Sequence, residues 1–299
     1  MSWKRDLKKN WGLYLFILPV IAYYLVFCYY PMYGAQIAFR DYSPGKGILG
    51  SEWVGLQHLK SFFSYPDVGR LFRNTIIMSV VGLVVGRCAS IGLALMFHEL
   101  RWSRYKKVTQ TISIFPHFIS MVVTCTICTQ FCQTDGLFNV FLGWFGFEPK
   151  NLLGIPAAFV PIRQIMHLWR GMGWSCIIML AAMSGVDQQI YEAARLDGCG
   201  RIQQMRYITL PAIAPTRVLT LIMAIGGLLS VGSEDIILLY NPAIYKTADV
   251  ISTYVYRKGL VEFNFSYSAA VGLMNSVINI ILLLFANKVA KTVSDTSLL

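Results

Sequence analysis

Glu234 and Asp235 stand side by side in a segment, Arg217 to Tyr240, that is otherwise apolar enough to cross a membrane. Two acids at such depth are costly unless they meet water or a cation. Arg170, in the preceding apolar segment, is placed by residue count at a similar depth, so it is expected to pair with one of them. Carboxylates also accept several hydroxyl donors at once, and the rings of Trp169, Trp174 and Tyr240 suit the C–H face of a pyranose. With Ser230, these residues form a candidate contact surface for a sugar, although aromatic residues near span ends also serve as interfacial anchors. Catalysis has little to build on. His117 and His167 lie in apolar segments without an evident partner, and neither a Walker lysine motif nor a nucleophile with its base is legible. Cys125, Cys128 and Cys132 follow i, i+3, i+7 spacing, which resembles a metal stripe. No histidine or acid supplies a fourth ligand nearby, so packing is the expectation.

A second group of residues is suited to docking. The run QIYEAARLDGCGRIQQMRYITLPAIAP, Gln189 to Pro215, separates two apolar segments. Asp187 can cap a short helix, Gly198 supplies a left-handed stop, and a second helix fits Gly200 to Ile208, ended by Thr209, Leu210 and Pro211. Such an elbow protrudes as a knob of mixed charge (Glu192, Arg195, Asp197, Arg201, Arg206) that fits a groove on a partner. A solvated connector is the other reading of the same pattern.

Glu192-Ala193-Ala194, then Asp197-Gly198, then Ile208-Thr209-Leu210-Pro211 resembles the EAA loop of the membrane-spanning subunits of ABC importers, in particular the carbohydrate-importer branch. Cys199 replaces the family's usual Ala and Met205 its usual Phe, both tolerable in size. The tract Trp53-Val54-Gly55-Leu56 followed by Phe62-Phe63, with Asn74-Thr75 opening the next span, also resembles the carbohydrate permeases, and Asp235 to Arg257 followed by Phe265 to Gly272 resembles their subgroup called LplB-type. The resemblance implies one half of a heterodimeric pore for an oligosaccharide or polysaccharide fragment. It also implies a homologous second permease, two ATP-binding subunits and an extracytoplasmic solute-binding protein. This chain would bind no cofactor, since ATP and Mg belong to the ATPase. Glu192 would orient the docking helix, Ala193 and Ala194 would allow close approach, and Gly198 would make the turn, with Asp197, Leu210 and Pro211 completing the motif. A permease for another solute and an ATP-independent secondary transporter are the alternatives.

The elements that must carry these residues follow from composition. Of 299 residues, 56% are hydrophobic and 14% charged, which marks an integral membrane protein; the resemblance implies the cell membrane of a bacterium, crossed several times. The net charge of +11 fits cytoplasmic loops and anionic headgroups rather than nucleic acid. Six spans are expected, at about 12–30, 75–97, 108–132, 162–183, 217–240 and 266–287, in a single all-α domain over 1–299, with the coupling loop at 185–216. Pro116 should kink the third span, and glycines between Gly226 and Gly232 should permit close packing or a break in the fifth. The residues from Pro31 to Arg73 read as an external loop with a helix near Leu56 to Phe63. Short basic segments such as Arg101 to Lys107 place both termini and the loop inside. Arg87, near the middle of span two, must face the bundle interior, either bridging carbonyls or an acid or lining a pathway.

Overall fold

The sequence from Trp11 to Phe39 is apolar on every side of a helix, and the helix α1 (Trp11–Tyr24) buries none of its side chains. A helix without a polar face is matched to lipid rather than to water. The computed structural model describes residues 3–294. Further helices follow along the chain: α2 (Val68–Glu99), α3 (Ser103–Ile114), α4 (Met121–Cys132), α5 (Pro156–Ser184), α6 (Gln188–Leu196), α7 (Arg201–Gln204), α8 (Ala214–Ile225), α9 (Ser233–Leu239) and α10 (Phe265–Ser294). Four helical stretches are long and apolar enough to cross a membrane, and up to six if each of two bent pairs is one span. The chain is a predominantly helical membrane protein.

Two compact units divide the chain, one formed by the residues up to Tyr65 with Val255–Met274, the other by Pro66–Tyr254 with the residues from Asn275 onward. In the first unit, the helical rod does not stop at Tyr30 as expected. A π-turn at Leu25–Tyr29 precedes Pro31, with the Tyr30 N–H reaching back five residues to the Leu25 carbonyl, and helical backbone continues to Phe39. The widened turn makes room for the ring of Pro31 and absorbs its missing N–H. A short antiparallel ribbon then pairs Arg40–Asp41 with Glu52–Trp53. Trp53 stacks on Phe39 at 5.6 Å, and the Arg40 guanidinium lies 5.4 Å from the Trp53 ring centre. The helix expected near Leu56 to Phe63 forms as Gln57–Phe63.

In the second unit α2 packs along α5, and one core cluster joins Met78, Cys125, Cys128, Cys132, Phe159 and Ile236. The cysteine stripe is therefore packing. α2 begins at Val68 rather than Thr75, because two polar turns precede its apolar part and Arg70 pairs with Asp67 at 3.0 Å. Asn74 donates to the carbonyls of Lys246 (3.1 Å) and Asp249 (2.9 Å), and Thr75 accepts from the Ile251 N–H.

Three further span boundaries need correction. The third span is broken: Phe115–Phe118 forms a 3₁₀ turn at Pro116, and the chain bends by 97° before α4. α5 starts at Pro156 rather than Ile162, since Pro161 sits in its early turns without ending it. α10 continues beyond Asn287 to Ser294, and the last five residues of the polar tail lie outside the described residues.

Candidate docking knob and membrane cavity

The knob is built as its sequence dictates at the first turn. The Asp187 carboxylate accepts from the Gln189 N–H at 2.9 Å and caps α6. At the other end Gly198 takes φ +80°, the Gly198 N–H donates to the Arg195 carbonyl at 3.1 Å, and the Cys199 N–H donates to the Ala194 carbonyl at 2.8 Å. These two bonds form a complete Schellman motif, which satisfies the last carbonyls of the helix and needs a residue at ease with positive φ. Gln203 then caps the Gly200 N–H at 2.8 Å, and buried Tyr191 shares a 2.9 Å hydrogen bond with Thr209, tying the two arms together.

The second arm differs from expectation. Helix was expected to end at Thr209 to Pro211, but α7 passes through a π-turn at Met205–Thr209 and on to Ala212. The chain then turns by 59° into α8. The Leu210 N–H reaches the Met205 carbonyl five residues back, one residue ahead of Pro211, as at Tyr30 and Pro31. Glu192, Ala193, Asp197 and Pro211 are exposed, while Ala194 and Leu210 are half-buried. The tips carry bare apolar side chains: Leu196 is 90% exposed and Ile202 77%.

The membrane-embedded site lies between α2, α5 and α8. The fifth span is interrupted between α8 and α9, and Gly226 to Gly232 runs as turns with no helical ladder. Side chains of α10 satisfy that backbone: Asn279 accepts from the Leu229 N–H at 3.0 Å and donates to the Ser230 hydroxyl at 2.9 Å, and Asn275 donates to the Leu229 carbonyl at 3.2 Å. Ser252 donates to the Val231 carbonyl at 2.7 Å. Irregular backbone at membrane depth persists only with such partners or beside a cavity. Here both hold, since Gly227, Leu228 and Val231 line a cavity of about 570 Å³ together with residues of α2 and α5.

Asp235 is 1% exposed, and its cation is not Arg170. Arg163 Nε donates to Asp235 Oδ2 at 2.5 Å, and His167 Nε2 lies 2.7 Å from the same oxygen. Arg170 donates instead to the Ile119 carbonyl at 3.3 Å. The expected helix face was right and the depth was wrong by two turns, because α5 begins earlier than the apolar run and brings Arg163 inside it. Positions 163, 167 and 170 share one face at i, i+4, i+7 spacing, which is the signal that sequence reading passed over. Glu234 is exposed and Trp169 faces outward, apart from Asp235. Tyr240 stacks on Tyr245 at 4.9 Å, while Trp174 lines the cavity and stacks on His117 at 4.5 Å with planes 6° apart. Both histidines therefore have partners that the sequence did not reveal. Arg87 lines the cavity and donates through Nη1 to the Thr220 hydroxyl (2.9 Å) and the Arg217 carbonyl (3.3 Å), the bridge to a carbonyl that was one of its two expected roles.

Residues 89–295 match the family described as binding-protein-dependent transport system inner membrane component. Among curated proteins, the chain is 44% identical to the polygalacturonan/rhamnogalacturonan transport system permease protein YteP of Bacillus subtilis, over 93% of this chain and 87% of that one. It is 41% identical to protein LplB of the same organism, over 97% and 92%. Among solved structures, it superposes with a TM-score of 0.91 and 37% identity on a chain of a bacterial ABC transporter involved in the import of the acidic polysaccharide alginate, covering 98% of this chain and 100% of that one. A second structure, of the bacterial alginate ABC transporter in complex with alginate pentasaccharide-bound periplasmic protein, gives 0.91 and 36% over the full length of both chains.

Proposed function

We infer, for a chain that belongs to the family of binding-protein-dependent transport system inner membrane components, that it forms half of the translocation pathway of an ATP-driven importer for an oligosaccharide or polysaccharide fragment. It is a permease subunit that does no chemistry itself. A solute-binding protein outside the membrane delivers the sugar, a homologous second permease completes the pathway, and two ATP-binding subunits hold ATP and Mg. The broken pair of α3 and α4 counts as one span and α8 with α9 as another, giving six, with both termini and the knob on the cytoplasmic side, where the short basic segments fall.

The observation that carries this reading is the knob. Its helix is closed by a Schellman motif at Gly198, its arms are tied by Tyr191 and Thr209, and Leu196 and Ile202 stand bare at its tips. Exposed apolar side chains on a rigid, capped element fit a hydrophobic cleft on a partner. Closure of the two ATPases on ATP would then move α6 and α7 as one body, and with them the helices that line the cavity.

Affinity purification of the chain from its own membranes in mild detergent tests the reading. Recovery of a homologous permease and an ATPase whose turnover rises with sugar-loaded binding protein is the expected result. Recovery of the chain alone, with uptake driven by an ion gradient, would overturn it.

A further inference from the structure

The foot of α3 carries four cations within seven residues, Arg101, Arg104, Lys106 and Lys107, and no acid follows them before Asp135. Among the described residues none of the four takes part in an ion pair. Arg101, Arg104 and Lys107 are exposed and Lys106 is half-buried. Two aromatic side chains stand among them, Trp102, which is 80% exposed, and Tyr105, also exposed. The knob differs in kind, since Glu192 and Asp197 are interleaved with its arginines. Like charges gathered without acids repel one another unless anions come between them.

Above the foot, α3 has two unlike sides. Ser113 and Ile114 are half-buried on the side that meets α5, where the Ser113 carbonyl approaches Gly173. Tyr105, Val108, Ile112 and Phe115 recur at i, i+3, i+7 and i+10, so they share the other side, and all four are exposed. From Tyr105 to Phe115 the helix rises about 15 Å, half of a hydrocarbon core of roughly 30 Å. Beyond Phe118 the chain bends by 97°. α3 is therefore matched to one leaflet, with its bare apolar stripe at acyl-chain depth and its cations and aromatic rings at the headgroups. Arg104 and Lys107 border the stripe, and their long stems let the charged ends reach a phosphate. A protein partner that covered the apolar stripe would bury this ring of like charges with it, whereas a lipid with a negative headgroup answers both features at once. We propose that the foot of α3 binds an anionic phospholipid. Arg101, Arg104 and Lys107 hold its headgroup, Trp102 and Tyr105 sit at the level of its ester carbonyls, and an acyl chain lies along Val108, Ile112 and Phe115. The lipid binds whichever solute the chain carries.

The test places the full chain, with the subunits that co-purify with it, in phosphatidylcholine nanodiscs that contain a minor fraction of brominated lipid. Bromine on the acyl chain quenches a neighbouring indole, and subtracting the emission of Trp102→Phe isolates Trp102. Quenching followed against lipid fraction should show brominated phosphatidylglycerol preferred over brominated phosphatidylcholine by at least about tenfold, since each cation at a membrane surface contributes about fivefold. High salt should weaken the preference. Arg104→Gln combined with Lys107→Gln should cut it by at least about fivefold, while Arg104→Lys with Lys107→Arg, which keeps both charges, should retain it. Soluble glycerol phosphate should not relieve the quenching, which separates a lipid from a free phosphate ligand. Equal quenching by the two lipids, a preference that survives the glutamine pair, or relief by glycerol phosphate overturns the site. Trp102 emission untouched by either lipid would mean that protein covers the foot, and overturns it as well. If the glutamine pair fails to assemble, the wild-type comparison and its salt dependence still decide.

Discussion

Arg163 Nε donates to Asp235 Oδ2 across 2.5 Å, joining α5 to the short helix beyond the glycine-rich break. Both side chains are buried, and His167 contacts the same carboxylate oxygen from one turn further along α5. The pair fixes where α9 resumes after a stretch of backbone that has no ladder of its own. It is one of the joints that keep the cavity wall in place, and it removes the charge of Arg163 from the list of groups free to meet a ligand.

Asp235→Asn should therefore destabilise the folded chain by roughly 3–5 kcal/mol, because it leaves Arg163 buried without its counterion. Thermal unfolding in detergent, followed by tryptophan fluorescence, measures the loss. The double substitution Arg163→Met with Asp235→Leu should recover most of it, since apolar groups of similar size need no counterion there. Equal melting of Asp235→Asn and wild type would show that the pair is not a structural joint.

The sequence carried the knob almost in full, because caps are local: Asp187, Gly198 and the residues between them interact within a few positions. It misjudged the second arm because a π-turn ahead of Pro211 leaves no compositional trace, and the same device carries the first helix through Pro31. The partner of Asp235 was missed for a different reason. Apolar runs locate the lipid-matched part of a helix, whereas α5 begins at Pro156, before that part, and depth counted from the run is shifted. Asn275 and Asn279, which hold the broken fifth span, were equally invisible, since nothing local to α10 says that it faces unpaired backbone.

Gly198 takes φ +80° where an L side chain is strained, although no atom lies within 4 Å of an added Cβ. The cost of Gly198→Ala is therefore conformational, about 1 kcal/mol, with Asn milder and Val worse. The expected order of sugar-stimulated ATPase turnover in the reconstituted complex is Gly, Asn, Ala, Val. Full stimulation with Val at this position would show that the geometry of the turn does not matter to coupling.

Leu196 and Ile202 touch little of their own chain, so Leu196→Ser and Ile202→Ser should each change its stability by less than about 0.5 kcal/mol. Their effect should fall on association. Each is expected to weaken capture of the ATP-binding subunit by about tenfold or more, as anchors at the centre of an interface do. Co-purification and surface plasmon resonance against the isolated ATPase measure this. Lost thermal stability without lost capture would assign both side chains to the fold of the knob instead.

Gly173 decides how closely α3 and α5 approach. A Cβ there would run into the backbone carbonyl of Ser113, with the Ile114 amide next to it, and a backbone cannot rotate out of the way. Gly173→Ala must push the two helices apart, at a cost of roughly 1–3 kcal/mol or more. The same displacement would pull His117 from its stack on Trp174, since His117 follows α3 and Trp174 is the next residue on α5. Gly92→Ala in α2 is the control, because open space surrounds that position and alanine is the better helix former. The expected outcome is a lower melting temperature and an altered Trp174 emission for Gly173→Ala, with neither change for Gly92→Ala. Equal melting of the two variants would mean that the approach of α3 to α5 is looser than the structure describes.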